Sequence, residues 1–318
     1  MTLNPKLQPL LDLYNTLPTP AWTTAAQRRK AVQDSAFTEH YAALITPPPA
    51  LAEVWEERIA INEPDDEMTV RIYRPELTEP TAGALLHLHG GGWWSGSPDD
   101  VDTRCRHLAT GAGIVVVSVG YRLAPEHRFP IPLHDAFTAL HWMVQHARRL
   151  RIDPQRIGVG GESAGGNLAA ALAILTRDQS GPPLRLQLLE VPALDLTLSS
   201  DSVRAFGDGY FLTATDLAWC VEQYLGDQDA INPLASPLHV ASLDGLPPAV
   251  ITTAQYDPLA DDGSRYADRL REAGIPCSFV CYPGMVHSSH HLTALLPTAV
   301  QWRNDVVAAV RHHLSGRQ

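Results

Sequence analysis

Two hydrophobic periods divide the chain. Near its start, Leu7, Leu10, Leu11 and Tyr14 recur at i, i+3, i+4 and i+7, which places them on one face of a helix. A second helix is expected after Thr23-Thr24, with a threonine as N-cap, and Pro47-Pro48-Pro49 marks the exit from this segment. The period then shortens. Glu57 to Asn62 and Met68 to Arg74 roughly alternate apolar and polar residues around a turn at Pro64-Asp65-Asp66, which reads as an antiparallel hairpin. Ala84 to Leu88 and Ile114 to Val119 are mostly apolar, as strands buried on both faces are.

Helix and strand alternate from there. Asp135 to Leu150 carries Phe137, Leu140, Val144 and Ala147 on one helical face. An apolar strand from Arg156 leads to a small-residue helix at Leu168 to Leu175, followed by a strand at Leu184 to Val191. An aromatic-rich, helical insertion at Ser199 to Asp229 interrupts the pattern. It resumes with Ala249 to Gln255 (strand), Asp262 to Ala273 (helix), Pro276 to Tyr282 (strand) and a last helix near Ala299 to Leu314. Such alternation predicts an α/β fold: a mostly parallel sheet, helices on both faces, right-handed crossovers. The division is an N-terminal helical segment over residues 1–50 and a main domain over 51–318, with the insertion at about 199–229.

Composition narrows the function classes. A net charge of −11 excludes the basic footprint that nucleic acids and anionic membranes require. No apolar run approaches the ~20 residues of a membrane span, and Met1 to Thr24 lacks the pattern of a secretory signal. Cys277 and Cys281 stand four apart in an expected strand, about 13 Å between Cα atoms and too far to bridge. Cys105 and Cys220 have no obvious partner, so the four thiols suit a reducing cytoplasm.

The chemistry centres on Gly161-Glu162-Ser163-Ala164-Gly165, with a strand before it and a helix after. In that setting G-x-S-x-G forms a nucleophile elbow. Side chains at either glycine would clash where strand and helix approach, and Ser163 is held strained with its hydroxyl in open space. The helix behind it starts with free N–H groups and a positive dipole end. By chance the pentapeptide occurs in about a tenth of chains this long, so its setting carries the assignment. His89-Gly90-Gly91-Gly92-Trp93 directly follows the strand Ala84 to Leu88. Its glycines uncover the backbone, so two N–H groups can reach a substrate oxygen, and each such oxyanion donor is worth ~10²–10³ in rate. A serine nucleophile also needs a base and an orienter. Asp257 lies past the strand Ala249 to Gln255 and His287 past Pro276 to Tyr282, which gives the chain order Ser, Asp, His. His287, His290 and His291 invite a metal reading, but no carboxylate accompanies them at zincin spacing, and no metal is expected.

These segments together resemble the hormone-sensitive-lipase family of α/β-hydrolase esterases. The resemblance runs from about residue 55 to the end and rests on five ordered motifs. They are His89 to Trp93, Tyr121-Arg122-Leu123-Ala124-Pro125-Glu126-His127 with Phe129-Pro130, Gly161 to Gly166, Asp257-Pro258-Leu259, and Tyr282-Pro283-Gly284-Met285-Val286-His287. It implies a triad of Ser163, Asp257 and His287, an oxyanion hole from the N–H groups of Gly91, Gly92 and Ala164, and ester hydrolysis through an acyl-enzyme without metal or cofactor. It also implies a cap built from the N-terminal helices and the 199–229 insertion. Tyr121 to Pro130 is read as bracing the elbow. Three positions depart from the family pattern: Glu162 for a common Asp, Glu190 where an uncharged residue is expected, and Ser288-Ser289-His290 after His287. The last two bear on the substrate pocket and not on the triad.

Trp93, Trp94, Phe206, Tyr210 and Phe211 are candidates to line an acyl or alcohol pocket, or else to pack the cap onto the body. The expected activity is a cytoplasmic serine carboxylesterase acting on small to medium acyl esters. An amidase or deacetylase on the same triad is the rival. A non-catalytic receptor on this fold, as in the gibberellin receptors, would have lost the histidine that is present here. Because the strand Pro276 to Tyr282 comes last and carries no Lys or Arg, a homodimer pairing this edge is expected.

Overall fold

A computed structural model describes residues 2–16, 24–33, 36–61 and 66–315. Its strands are β1 (Glu53–Ala60), β2 (Glu67–Arg74), β3 (Ala82–Leu88), β4 (Val115–Gly120), β5 (Ile152–Glu162), β6 (Leu184–Glu190), β7 (Ala249–Tyr256) and β8 (Cys277–Val286). They form one eight-stranded sheet in the order β1-β2-β4-β3-β5-β6-β7-β8. β1 and β2 pair antiparallel, β2 joins β4 antiparallel, and every later pairing is parallel. The hairpin turn at Pro64-Asp65 and the first of the paired threonines, Thr23, lie outside the described residues.

Alternate residues of the central strands feed two cores. Ala84, Leu86 and Leu88 of β3 and Val115, Val117 and Val119 of β4 face one layer, with helices α5 (Ile131–Gln145), α7 (Ala164–Asp178) and α10 (Ala260–Glu272). Leu85 and Val116 face the other, with α4 (Asp102–Ala112) and α11 (Pro297–Leu314). This is a sheet covered on both faces, as uninterrupted apolar strands require.

Helix α1 (Gln8–Thr16) buries Leu10 and Leu11, with Leu7 just ahead of it, in the second core. Thr24 Oγ1 accepts from Gln27 N–H at 3.2 Å and so caps α2 (Ala25–Gln33). A short α3 (Ala36–Ala42) follows. The 199–229 stretch holds α8 (Asp201–Phe206) and α9 (Ala214–Leu225), each started by a hydroxyl N-cap, Ser200 and Thr213. Arg28 of α2 pairs with Asp216 of α9, and its guanidinium lies over the Trp94 and Trp219 rings.

Several elements differ from the expectation: β1 starts at Glu53, not Glu57, and β5 at Ile152, not Arg156. Helix α4 is not among the expected elements: its buried residues are Arg104, Cys105, Leu108, Ala109 and Ala112, with Leu108 the one large aliphatic side chain. α5 begins at Ile131, not Asp135, since Pro132 fits a helix's first turn; a further four-residue helix, α6 (Ala147–Leu150), follows it. β8 continues past Tyr282 to Val286. Tyr282 pairs with Ala254 and Val286 with Tyr256, so a bulge absorbs Pro283-Gly284.

Candidate active site

Ser163 sits between the last residue of β5 and the first of α7, at φ 53° and ψ −117°. That conformation is costly for an L-residue and persists because the surroundings impose it. Its N–H donates to Glu190 C=O at 2.8 Å and its own C=O accepts from Asn167 N–H at 3.0 Å. A Cβ on Gly161 would stand 2.3 Å from Leu88 O, and one on Gly165 2.0 Å from the same atom. Backbone packs on backbone here, which is why both positions are glycine. Ala169, Ala170, Ala171 and Ala173 keep α7 slim enough to lie fully buried behind the elbow.

Two further strand ends bring their side chains to Ser163. Asp257 follows β7 directly and His287 follows β8 directly, the latter a consequence of the extended strand. His287 Nε2 lies 3.1 Å from Ser163 Oγ, and His287 Nδ1 lies 2.8 Å from Asp257 Oδ2. The carboxylate accepts the Nδ1 proton, which leaves the Nε2 lone pair facing the serine hydroxyl. Asp257 is fully buried, and its other oxygen accepts from Leu259 N–H at 2.8 Å. All three residues stand at carboxyl ends of parallel strands, where open α/β sheets place their sites.

The loop after His287 explains one departure from the family pattern. Ser289 Oγ accepts from Val286 N–H at 3.1 Å and donates to Val286 C=O at 2.7 Å, clasping the turn that carries His287. Tyr41 Oη donates to Ser288 C=O at 2.6 Å and ties the N-terminal segment to this turn.

At the glycine loop, Gly91 C=O accepts from Trp94 N–H, Ser95 N–H and Ser95 Oγ at 3.0–3.3 Å. Gly91 adopts φ +112°, and a Cβ there would lie 2.3 Å from Ser95 O. Among the described residues, the N–H groups of Gly91, Gly92 and Ala164 have no hydrogen-bond acceptor. Tyr121 stacks on His89 at 4.1 Å and donates to His89 C=O at 2.8 Å. Arg122 reaches the fully buried Asp135 through both its guanidinium and its backbone N–H. The Tyr121 motif therefore braces the glycine loop, not the elbow as expected.

Of the five aromatic candidates, Trp93 is buried, stacks on Tyr224 at 4.5 Å and donates to Asn167 Oδ1 at 3.3 Å. Trp94 is buried edge-on against Trp219 at 5.0 Å. Phe206 and Tyr210 form a half-buried cluster with Tyr256, the residue before Asp257, and Phe211 meets Tyr14.

Glu190 is occupied within the core by other side chains. It is 1% exposed and accepts from Arg104 Nε at 3.0 Å and from Trp302 Nε1 at 3.2 Å. Burial pushes its carboxyl up, but the Arg104 charge prevails and holds it below the ordinary value. Glu190→Ala would strand the buried guanidinium, so unfolding stability should fall by about 3–5 kcal/mol, read as a lower urea midpoint.

A cluster beside Ser163 escapes sequence reasoning. Glu162 Oε2 lies 2.7 Å from His291 Nε2 and 3.0 Å from His290 Nε2. Burial opposes ionisation of Glu162, yet the two imidazoles hold its carboxyl well below the usual range. His290 is 3% exposed and stacked on Trp302 at 5.0 Å.

The known proteins this chain is similar to are α/β-hydrolase-fold enzymes and esterases. A family model described as alpha/beta hydrolase fold matches residues 85–291. An ethyl acetate hydrolase of Pseudomonas putida is 36% identical across 99% of this chain and 100% of its own. The carboxylesterase NlhH of Mycobacterium tuberculosis is 37% identical across 98% of this chain and 96% of its own. A hyperthermophilic esterase from the archaeon Pyrobaculum calidifontis superposes with a TM-score of 0.89 at 35% identity, covering 98% of this chain and 99% of that one.

Proposed function

Since the chain belongs to the α/β-hydrolase-fold family, and within it to the esterases of hormone-sensitive-lipase type, we propose that it hydrolyses small to medium acyl esters with Ser163, His287 and Asp257 as its triad. One observation carries the assignment: the unbroken hydrogen-bond chain from Ser163 Oγ through His287 to Asp257, at 3.1 and 2.8 Å. Ser163 Oγ attacks the ester carbonyl while His287 Nε2 takes its proton. The Gly91, Gly92 and Ala164 N–H groups, helped by the positive end of α7, hold the oxyanion. Collapse expels the alcohol, which leaves with the proton from His287. Water then gives His287 a proton, attacks the acyl group, and the acid departs as Ser163 regains its hydrogen.

The segment 1–50 and the 199–229 insertion act as a cap over this site within the arrangement 1–50 and 51–318. The Arg28–Asp216 pair and the Tyr14–Phe211 ring contact, which join the two pieces, support that role. Phe206, Tyr210 and Tyr256 supply an aromatic wall beside Asp257. A panel of p-nitrophenyl esters from acetate to palmitate, run beside the matching anilides, tests the reading. Turnover should peak at short to medium acyl chains and exceed anilide turnover by at least tenfold; faster anilide cleavage would favour the amidase.

A cytoplasmic setting fits four free cysteines and the lack, among described residues, of any helix long and apolar enough to cross a membrane. β8 ends the strand order, its Val280 is 39% exposed, and no Lys or Arg guards it. We infer a homodimer through this edge. Light scattering at micromolar concentration should give twice the 34.7 kDa chain mass; a monomer would refute it.

A further inference from the structure

The cluster beside the nucleophile has a ligand set that the ester reaction does not use. Glu162 closes β5, while His290 and His291 lie in the short 3-10 turn Ser289–His291, 128 residues further along in the case of His290. Both imidazoles turn Nε2 toward one carboxylate oxygen, and the three ligand atoms all lie within 4.8 Å of one another. In a tetrahedral centre with ~2.0–2.1 Å bonds, ligand atoms stand roughly 3.3 Å apart. The contacts of 2.7 and 3.0 Å therefore need to open by only a few tenths of an ångström.

The framework is already fixed. The Trp302 ring covers His290, the Ser289 hydroxyl clasps Val286, and Glu162 is held by β5 next to the glycine loop. The side chains of Glu162 and His291 keep 13% and 17% exposure, so an ion has an approach that the buried His290 side chain alone would not offer. The neighbouring carboxylate Glu190 is occupied by Arg104, which leaves Glu162 as the anion at this position.

We propose that Glu162, His290 and His291 form a binding site for one first-row divalent transition-metal ion, tying the elbow to the turn that carries His287. Two imidazoles and one carboxylate suit Zn²⁺, Co²⁺ or Fe²⁺, whereas Ca²⁺ and Mg²⁺ require oxygen ligands. On binding, each Nε2 gives its lone pair to the ion and each ring keeps one proton on Nδ1. His290 Nδ1 has no hydrogen-bond partner among the described residues. That missing brace sets affinity about 10–100-fold below a site with a complete outer shell.

The experiment uses the full chain, stripped with chelator and titrated with Zn²⁺ by calorimetry and with Co²⁺ by visible absorption. One ion should bind per chain, Co²⁺ should give the intense bands of a tetrahedral site, and the unfolding midpoint should rise by about 5 °C at a hundredfold excess over Kd. His291→Gln, which retains a donor to Glu162, should weaken binding at least tenfold while circular dichroism shows an intact fold. A double change of His312 and His313 to Gln, on α11, should leave the affinity unaltered. Absence of saturable binding to the wild type, unchanged affinity in His291→Gln, or loss of binding in the α11 control would each overturn the proposal.

Discussion

Ser163→Ala should lower kcat/KM for ester hydrolysis by about 10⁴–10⁶, equivalent to ~5.5–8 kcal/mol of transition-state stabilisation. The substitution removes one oxygen, whose contact is with His287 Nε2 at 3.1 Å. The elbow itself is held by backbone bonds from Ser163 N–H to Glu190 and from Asn167 N–H to Ser163, which alanine keeps. Circular dichroism and the thermal midpoint should therefore match the wild type. Residual activity over water, ~10³–10⁴-fold, should persist through the oxyanion donors. A well-folded variant with undiminished turnover would remove Ser163 from the mechanism.

A loss of similar size is expected for His287→Asn, at least 10⁴ in kcat. The adjacent imidazoles cannot substitute, because His290 and His291 are both engaged on Glu162. His290→Asn separates the two roles. A residue lining the pocket would change KM; a buried ring under Trp302 should lower the thermal midpoint and leave measurable kcat. Steady-state kinetics on both variants beside their melting curves distinguishes these outcomes. A dead His290→Asn with a near-wild-type His287→Asn would reverse the assignment.

The parts legible from sequence are those governed by local rules. β3 and β4 announce themselves because both faces are buried, so their apolar runs are uninterrupted. The elbow glycines are legible because Leu88 O comes within 2.0–2.3 Å of where their Cβ atoms would be. α4 escapes because an arginine, a cysteine and two alanines share its inner face with Leu108, a stripe too weakly apolar to register. The end of β8 escaped because Pro283-Gly284 reads as a turn, and only the pairing with β7 turns it into a bulge. Long-range charge pairing was beyond local reading altogether. Glu190 is out of place by local rules, and its partner Arg104 lies 86 residues earlier. The carboxylate missing from the histidine cluster by spacing arrives as Glu162, across the sheet. Ser289 clasps its own turn three residues back, a contact within reach of local rules.

The central claim, that Ser163 is the activated nucleophile of a serine esterase, is tested most directly by reaction with a fluorophosphonate followed by peptide mass spectrometry. The phosphonyl group should attach once per chain, at Ser163, in step with loss of esterase activity, and neither Ser163→Ala nor His287→Asn should label at a comparable rate. Stoichiometric labelling at another residue, or full inactivation with Ser163 unmodified, would contradict it.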